Sequence, residues 1–317
     1  MEFKGQHILT AEQFDKKGLL ALFEKVREME EVLVGQRAVS DGGKSKGFEK
    51  TLDGKIMATL FYEPSTRTRF SFETAFLRLG GKVISGADMM NTSSAKKKET
   101  LYDTGKTLSQ LVDVIAMRHP EPGSVDELAS GCSIPVINAG DGPHQHPTQG
   151  LLDIYTIWKN FEGKIDGLKI GMVGDMKHSR VAHSLCEFLK YWNVEFVFVS
   201  PEELKMPEVV VEELKGEDLK VLETTDLEGT IGEMDVILTT RIQEERFSSA
   251  DEAEKHRGMY VFDSEMMEKA KADAILMNPL PRVDEITTDV DYDPRAKYFD
   301  QVGNGLAVRM ALLAMVV

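Results

Sequence analysis

Residues 56–79, IMATLFYEPSTRTRFSFETAFLRL, decide how this chain folds. Ile56–Phe61 is an apolar run of strand length, Pro64 closes it, and apolar residues then recur at helical spacing from Arg67 to Leu79. A strand feeding straight into a helix is half of a βα unit, and the unbroken apolar run predicts a parallel strand covered on both faces. Working outward, Val83–Ser85, Val114–Met117 and Val136–Asn138 read as further strands, with helices over Thr100–Leu111 and Thr148–Asn160. The pattern restarts at Ile170–Val173, Phe196–Val199, Val221–Thr224, Val236–Thr239 and Ala274–Met277. The expected fold is therefore α/β: two doubly wound parallel-sheet domains joined by helices. They are expected at 1–147 and 148–303, with 304–317 returning to the first domain as a terminal helix. Thr10-Ala11-Glu12-Gln13 reads as a capping box opening a helix to about Leu33, and Gly42–Gly47 as a polar loop.

The chain's 317 residues fit about two domains. With 42% hydrophobic and 29% charged residues it is a globular sequence with a sizeable core, not a disordered one. Its net charge of -15 argues against non-specific nucleic-acid binding and against a basic membrane-surface protein. The excess acid is uneven: residues 1–150 hold 19 basic and 20 acidic side chains, so an anionic ligand is drawn to the first half. Cys132 and Cys186 stand far apart without a CxxC, which encodes neither a zinc cluster nor a disulfide framework and suits a reducing, cytoplasmic compartment. The N-terminal MEFKGQHILTAEQF lacks the apolar core of a secretory signal. The apolar run Met310–Val317 falls far short of the roughly 18 residues a spanning helix needs.

Three segments of the first half carry chemistry, each following a strand. In Ser65-Thr66-Arg67-Thr68-Arg69, hydroxyls, guanidinium groups and the free N–H groups of a helix start make a phosphate site, with Ser65 placed as N-cap. Met117-Arg118-His119-Pro120 and Asp141-Gly142-Pro143-His144-Gln145-His146-Pro147-Thr148-Gln149 end two more strands of the same sheet. Strand C-termini in an open α/β sheet converge on one crevice, which brings Arg118, His146 and Gln149 towards the phosphate site. A metal reading of Asp141, His144 and His146 lacks a fourth ligand and is disfavoured by the Pro147 turn.

Together these motifs resemble the carbamoyl-phosphate site of the transcarbamylase family. Thr240-Arg241-Ile242-Gln243-Glu244-Glu245-Arg246 and Asn278-Pro279-Leu280-Pro281-Arg282-Val283-Asp284-Glu285-Ile286 resemble the aspartate-binding segments of its aspartate branch. The His-Cys-Leu-Pro segment of the ornithine branch is absent. The resemblance spans essentially the whole chain. It implies transfer of the carbamoyl group of carbamoyl phosphate to L-aspartate, an early step of pyrimidine biosynthesis, with no metal or organic cofactor. It assigns Ser65, Thr66, Arg67 and Thr68 to the phosphate, and Thr68, Arg118 and His146 to the carbonyl oxygen. Gln149 then lies beside the carbamoyl nitrogen. Arg180, Arg241 and Gln243 hold the aspartate carboxylates, and the backbone of Leu280, before a cis bond to Pro281, contacts the substrates. Asn91–Glu99 matches a loop that lends Ser93 and Lys97 to a neighbouring subunit, which implies a homotrimer with shared sites, able to accept regulatory chains. Glu63 becomes a latch for domain closure with Arg180 and Arg246. Two departures stand out: Asn278 where many relatives carry His, and Ala95 where Gly is common.

Three other readings compete. An ornithine-type acceptor is opposed by Arg241, Gln243 and the Pro-Leu-Pro-Arg run. A nicotinamide oxidoreductase is opposed by Gly171-Met172-Val173-Gly174-Asp175, which follows a strand but lacks GxGxxG spacing. A two-domain phosphate-binding protein predicts binding without turnover.

Overall fold

The computed structural model describes residues 3–40, 51–92, 96–142, 144–247, 249 and 253–317. The expected Gly42–Gly47 loop and Ser93 lie outside these residues. The chain divides into one unit of residues 1–152 with 303–317, and a second of 153–302.

In the first unit, strands β1 (Ile56–Phe61), β2 (Lys82–Gly86), β3 (Val114–His119) and β4 (Val136–Asp141) form a parallel sheet in the order β2-β1-β3-β4. Helices α2 (Thr66–Arg78), α3 (Leu101–Leu108) and α4 (Ser124–Gly131) connect them, after α1 (Lys16–Ser40). Every residue of β3 and β4 is buried, whereas β2, at the edge, is mostly exposed. The outer edge of β4 is covered rather than left open: Ile8 N donates to Val136 O and Asn138 N to Ile8 O. The capping box does form, with Gln13 Oε1 accepting from Thr10 N at 3.0 Å, but it closes only a single 3₁₀ turn. Helix α1 starts later, where Asp15 Oδ1 accepts from Gly18 N.

The second unit holds β5 (Lys169–Gly174), β6 (Glu195–Val199), β7 (Lys220–Thr224), β8 (Val236–Thr240) and β9 (Ile275–Met277), parallel throughout in the order β7-β6-β5-β8-β9. Helix α5 (Pro147–Asn160) precedes β5, and α6 (Arg180–Leu189), α7 (Glu208–Gly216) and α8 (Ser264–Lys269) cover the sheet. The core packs Val173, Val197, Ile237, Leu276, Phe262 and Tyr298. The last helix, α9, runs from Tyr298 to Val316 and so begins well before the expected terminal segment. Its C-terminal part belongs to the first unit, where Gly5 N donates to Val316 O and Arg309 Nη1 to Ser71 Oγ. None of the helices among the described residues is long and apolar enough to cross a membrane.

Helices α3 and α4 meet through glycines. A Cβ on Gly131 would lie 2.2 Å from the backbone oxygen of Tyr102, and one on Gly105 would lie 2.4 Å from that of Leu128. Gly131→Ala gains roughly 0.5–1 kcal/mol of helix preference but forces two backbones apart, which costs about 1–3 kcal/mol. The clash wins. A lowered Tm is the expected result of a thermal melt, and an unchanged or raised Tm would show that the helices slide freely.

Candidate active site

Each sheet reverses its order at one place. From β1 the chain steps outward to β2 and then crosses back to put β3 on the other side of β1, so the crevice at the strand C-termini opens between β1 and β3. Ser65–Thr68 follow β1 and Arg118 lies one residue inside the end of β3, one on each side of that reversal. Register fixes the pairing: Phe61 lies opposite Arg118, and Tyr62 N donates to Arg118 O. Thr68 is buried in the first turn of α2, while Thr66 and Arg67 are exposed. Ser65 occupies the N-cap position, but its hydroxyl makes no capping bond, which corrects the expected side-chain cap. The first-turn N–H groups of α2 have no acceptor within the helix, which leaves them suited to an anion.

Arg118 is 9% exposed. Its Nη1 donates to Ala139 O at 3.4 Å, and its Nη2 lies 2.7 Å from Glu63 Oε2. Glu63 is thus engaged within its own unit, and the latch role implied by the resemblance requires it to leave Arg118 first. The sequence reading missed this pair because the partners are 55 positions apart and only the β1–β3 register brings them together.

The segment after β4 is drawn tight by Asp141. This fully buried carboxylate accepts from Gln145 N, Gly123 N and Asn138 Nδ2, and lies 3.0 Å from His144 Nδ1. Asp141 and His144 are therefore engaged with each other, and the described residues include no group of three His, Cys, Asp or Glu placed to hold a metal ion. His146, 4% exposed, stands at the start of α5, where its carbonyl accepts from Gln149 N. Gln149 is half-buried in the first turn. His119 packs on Tyr62, and burial pushes its pKa down, which suits the Nδ1 that accepts from Glu121 N. Lys97 is exposed and makes no ion pair with the described residues.

In the second unit the order reverses between β5 and β8. The segment after β5 leads to Arg180 at the start of α6, and the segment after β8 carries Arg241, Gln243 and Arg246. The strands approach so closely that a Cβ on Gly174 (φ +118°) would lie 2.1 Å from Thr240 O. Asp175, fully buried, ties the two segments: it accepts from His178 N and Nδ1 on one side and from Gln243 N at 3.2 Å on the other. Arg180 and Arg241 are both half-buried, and Arg241 Nη1 donates to Ile242 O, which holds the guanidinium near its own turn.

The third contribution follows β9. The Leu280–Pro281 bond is cis, and Leu280 adopts φ +54°. Its N–H donates to Asn278 Oδ1 at 2.7 Å. Asn278, 2% exposed, also donates through Nδ2 to Thr239 O and Glu285 Oε1, and through its backbone to Gln301 Oε1. The departure from His is thus a built-in side-chain amide that satisfies three partners, while the backbone N–H meets the fourth. Neither Asp175 nor Glu285 was singled out from the sequence. A carboxylate directly after an apolar strand, as in Val173-Gly174-Asp175, was the available signal for the first.

Hydroxyls and guanidinium groups gathered at the switch points of two parallel sheets mark a two-domain α/β protein with side chains suited to anionic groups. Residues 6–159 match the aspartate/ornithine carbamoyltransferase carbamoyl-P binding domain, and residues 166–316 the Asp/Orn binding domain. The chain is 49% identical over 315 residues to the aspartate carbamoyltransferase catalytic subunit of Thermococcus onnurineus, covering 99% of this chain and 98% of that protein. It is 46% identical over 312 residues to the chloroplastic aspartate carbamoyltransferase of Oryza sativa, covering 97% and 84%. The catalytic subunit of M. jannaschii aspartate transcarbamoylase superimposes with a TM-score of 0.88 at 45% identity, over 98% of this chain and 97% of that one. Aspartate transcarbamoylase from Trypanosoma cruzi in complex with N-(phosphonacetyl)-L-aspartic acid gives 0.89 at 38% identity, over 99% and 97%. The chain belongs to the aspartate/ornithine carbamoyltransferase family.

Proposed function

We propose that this chain transfers the carbamoyl group of carbamoyl phosphate to the amine of L-aspartate, giving N-carbamoyl-L-aspartate and phosphate, an early step of pyrimidine biosynthesis. The observation that carries the reading is the pair of switch-point crevices, one with Ser65–Thr68 and Arg118, the other with Arg180, Arg241 and Gln243. The first unit takes carbamoyl phosphate and the second aspartate. Thermococcus, plant and Trypanosoma relatives named for aspartate support this acceptor over ornithine.

The aspartate amine is itself the nucleophile, so no side chain need form a covalent bond and no cofactor chemistry is required. As the C–N bond forms, negative charge grows on the carbonyl oxygen, and preorganised donors aimed there lower the barrier. Thr68, Arg118 and His146 take that role. Gln149 orients the carbamoyl amide. The C–O bond to phosphate then breaks, with the leaving dianion held by Ser65, Thr66, Arg67 and the helix start, and the amine proton passes to it. Arg180, Arg241 and Gln243 clamp the aspartate carboxylates, for which planar guanidinium groups are suited. The backbone of Leu280, fixed by Asn278, contacts the substrates beside Pro281. Ser93 and Lys97 come from the neighbouring subunit of a cyclic homotrimer in the cytoplasm, to which regulatory chains can be added.

The acceptor tests this reading. L-Aspartate is expected to be carbamoylated, and L-ornithine at a kcat/KM at least about 1,000-fold lower, because a cationic side chain facing Arg180 and Arg241 costs several kcal/mol. Comparable turnover of ornithine in a coupled phosphate-release assay would remove the assignment.

A further inference from the structure

The second unit has a feature that the substrate assignments leave unused, although the resemblance gives one of its residues, Arg246, a part in domain closure. Its cations are almost all engaged: Lys169, Lys190, Lys205, Lys215, Lys220, Lys269 and Lys271, for example, each pair with a carboxylate. Arg257, Arg282 and Arg295 do the same. Three side chains depart from this rule. Lys177, Arg246 and Lys255 are exposed and have no ion pair or side-chain hydrogen bond with the described residues. All three line one cavity of about 310 Å³.

Three unpaired cations converging in a unit rich in acid repel one another unless an anion joins them. A second observation points the same way. His256, only 9% exposed, lines the same cavity, and its ring makes no hydrogen bond with the described residues. Its ring instead lies 5.9 Å from that of Phe247, which also contacts the His178 ring at 5.5 Å. A largely buried imidazole whose ring nitrogens bond to none of the described residues is free to meet a ligand that enters the cavity. Among the described residues Glu203 is the one carboxylate on the lining, so their charge balance is positive. The volume is at the small end of the roughly 300–1,000 Å³ that ligand sites occupy, large enough for a compact anion and small for anything bulkier.

We propose that this cavity is a second anion site, for a diphosphate group, distinct from the residues assigned to carbamoyl phosphate and aspartate. A single phosphate engages one or two cations, whereas a diphosphate spans Lys177, Arg246 and Lys255 together and presents an oxygen to His256. The diphosphate is either free or carried on an organic group.

Calorimetry on the full chain tests this, with inorganic pyrophosphate as probe and Arg67→Ala Arg118→Ala as background, so that the first-unit phosphate site does not contribute. One pyrophosphate per chain is expected, with a Kd of roughly 100 µM, weakening as salt is raised and binding at least about tenfold tighter than orthophosphate. Adding Lys177→Gln or Lys255→Gln is expected to weaken it about tenfold each. Both side chains are exposed and unpaired, so the fold is retained, and a thermal melt of each variant checks that. ADP binding more tightly than pyrophosphate assigns the diphosphate to an organic carrier, and equal or weaker binding assigns it to the free ion. No heat of binding, or binding that both lysine substitutions leave unchanged, overturns the proposal.

Discussion

Arg118→Ala lowers kcat by about 100- to 1,000-fold, the cost of removing one donor from a developing oxyanion, while the KM values change little. Arg118 lies one residue inside the end of a fully buried central strand, so its backbone stays in place when the side chain is cut. What is lost is a guanidinium whose bonds strengthen as the carbonyl oxygen gains charge, and such a loss appears in kcat. Steady-state kinetics with both substrates varied reads this directly. A rise in KM with kcat intact would show that Arg118 merely binds carbamoyl phosphate. The neighbouring carboxylate supplies an internal control. Glu63, whose side chain is 31% exposed, occupies Arg118 at 2.7 Å and competes with the incoming ligand. Glu63→Gln is expected to lower the KM for carbamoyl phosphate about two- to fivefold, the scale of a partly exposed ion pair, and an unchanged KM would mean the pair breaks at no cost.

Mixing two inactive variants restores activity. If each site borrows Lys97 from a neighbour, Lys97→Ala chains are defective only in what they lend and Arg67→Ala chains only in their own pocket. Each homotrimer alone is nearly inactive. In a mixed cyclic trimer, one interface pairs an intact pocket with an intact loop, whichever variant is in the majority. Random mixing at equal amounts makes about three quarters of the rings mixed, each with one good site in three, so activity returns to about a quarter of wild type. Co-refolding followed by assay, with mixed trimers verified by native mass, gives the result. Activity that stays at the parental baseline would place Lys97 in its own chain's site or in none.

The sheets were legible because their strands are apolar runs bounded by turn residues: Ile56–Phe61 matches β1 end to end, and the others fall within one or a few residues. Helices were read less well where periodicity is weak. Ser124–Gly131 was not singled out, being short, acidic in its first turn and entered through Gly123 at φ +80°. The start of the last helix was hidden because Tyr298–Gly305 contains two glycines and mixed polarity. Of the site, the residues proposed to meet anions were legible from their types, since hydroxyl and guanidinium groups often gather after a strand where an anion binds. Their partners were not. Glu63 on Arg118, Asp175 on Gln243 and Asn278 on Leu280 are choices made by strand register and burial, which local sequence does not encode.

Asp175 has a consequence for temperature. Two loops that would otherwise fluctuate independently are fastened to one buried carboxylate before any ligand arrives, so their disorder is surrendered during folding and not at each encounter with the aspartate proposed to bind there. Affinity assembled this way carries a small entropic penalty and weakens little on warming. A substitution in either loop that breaks its bond to Asp175 gives that ordering back.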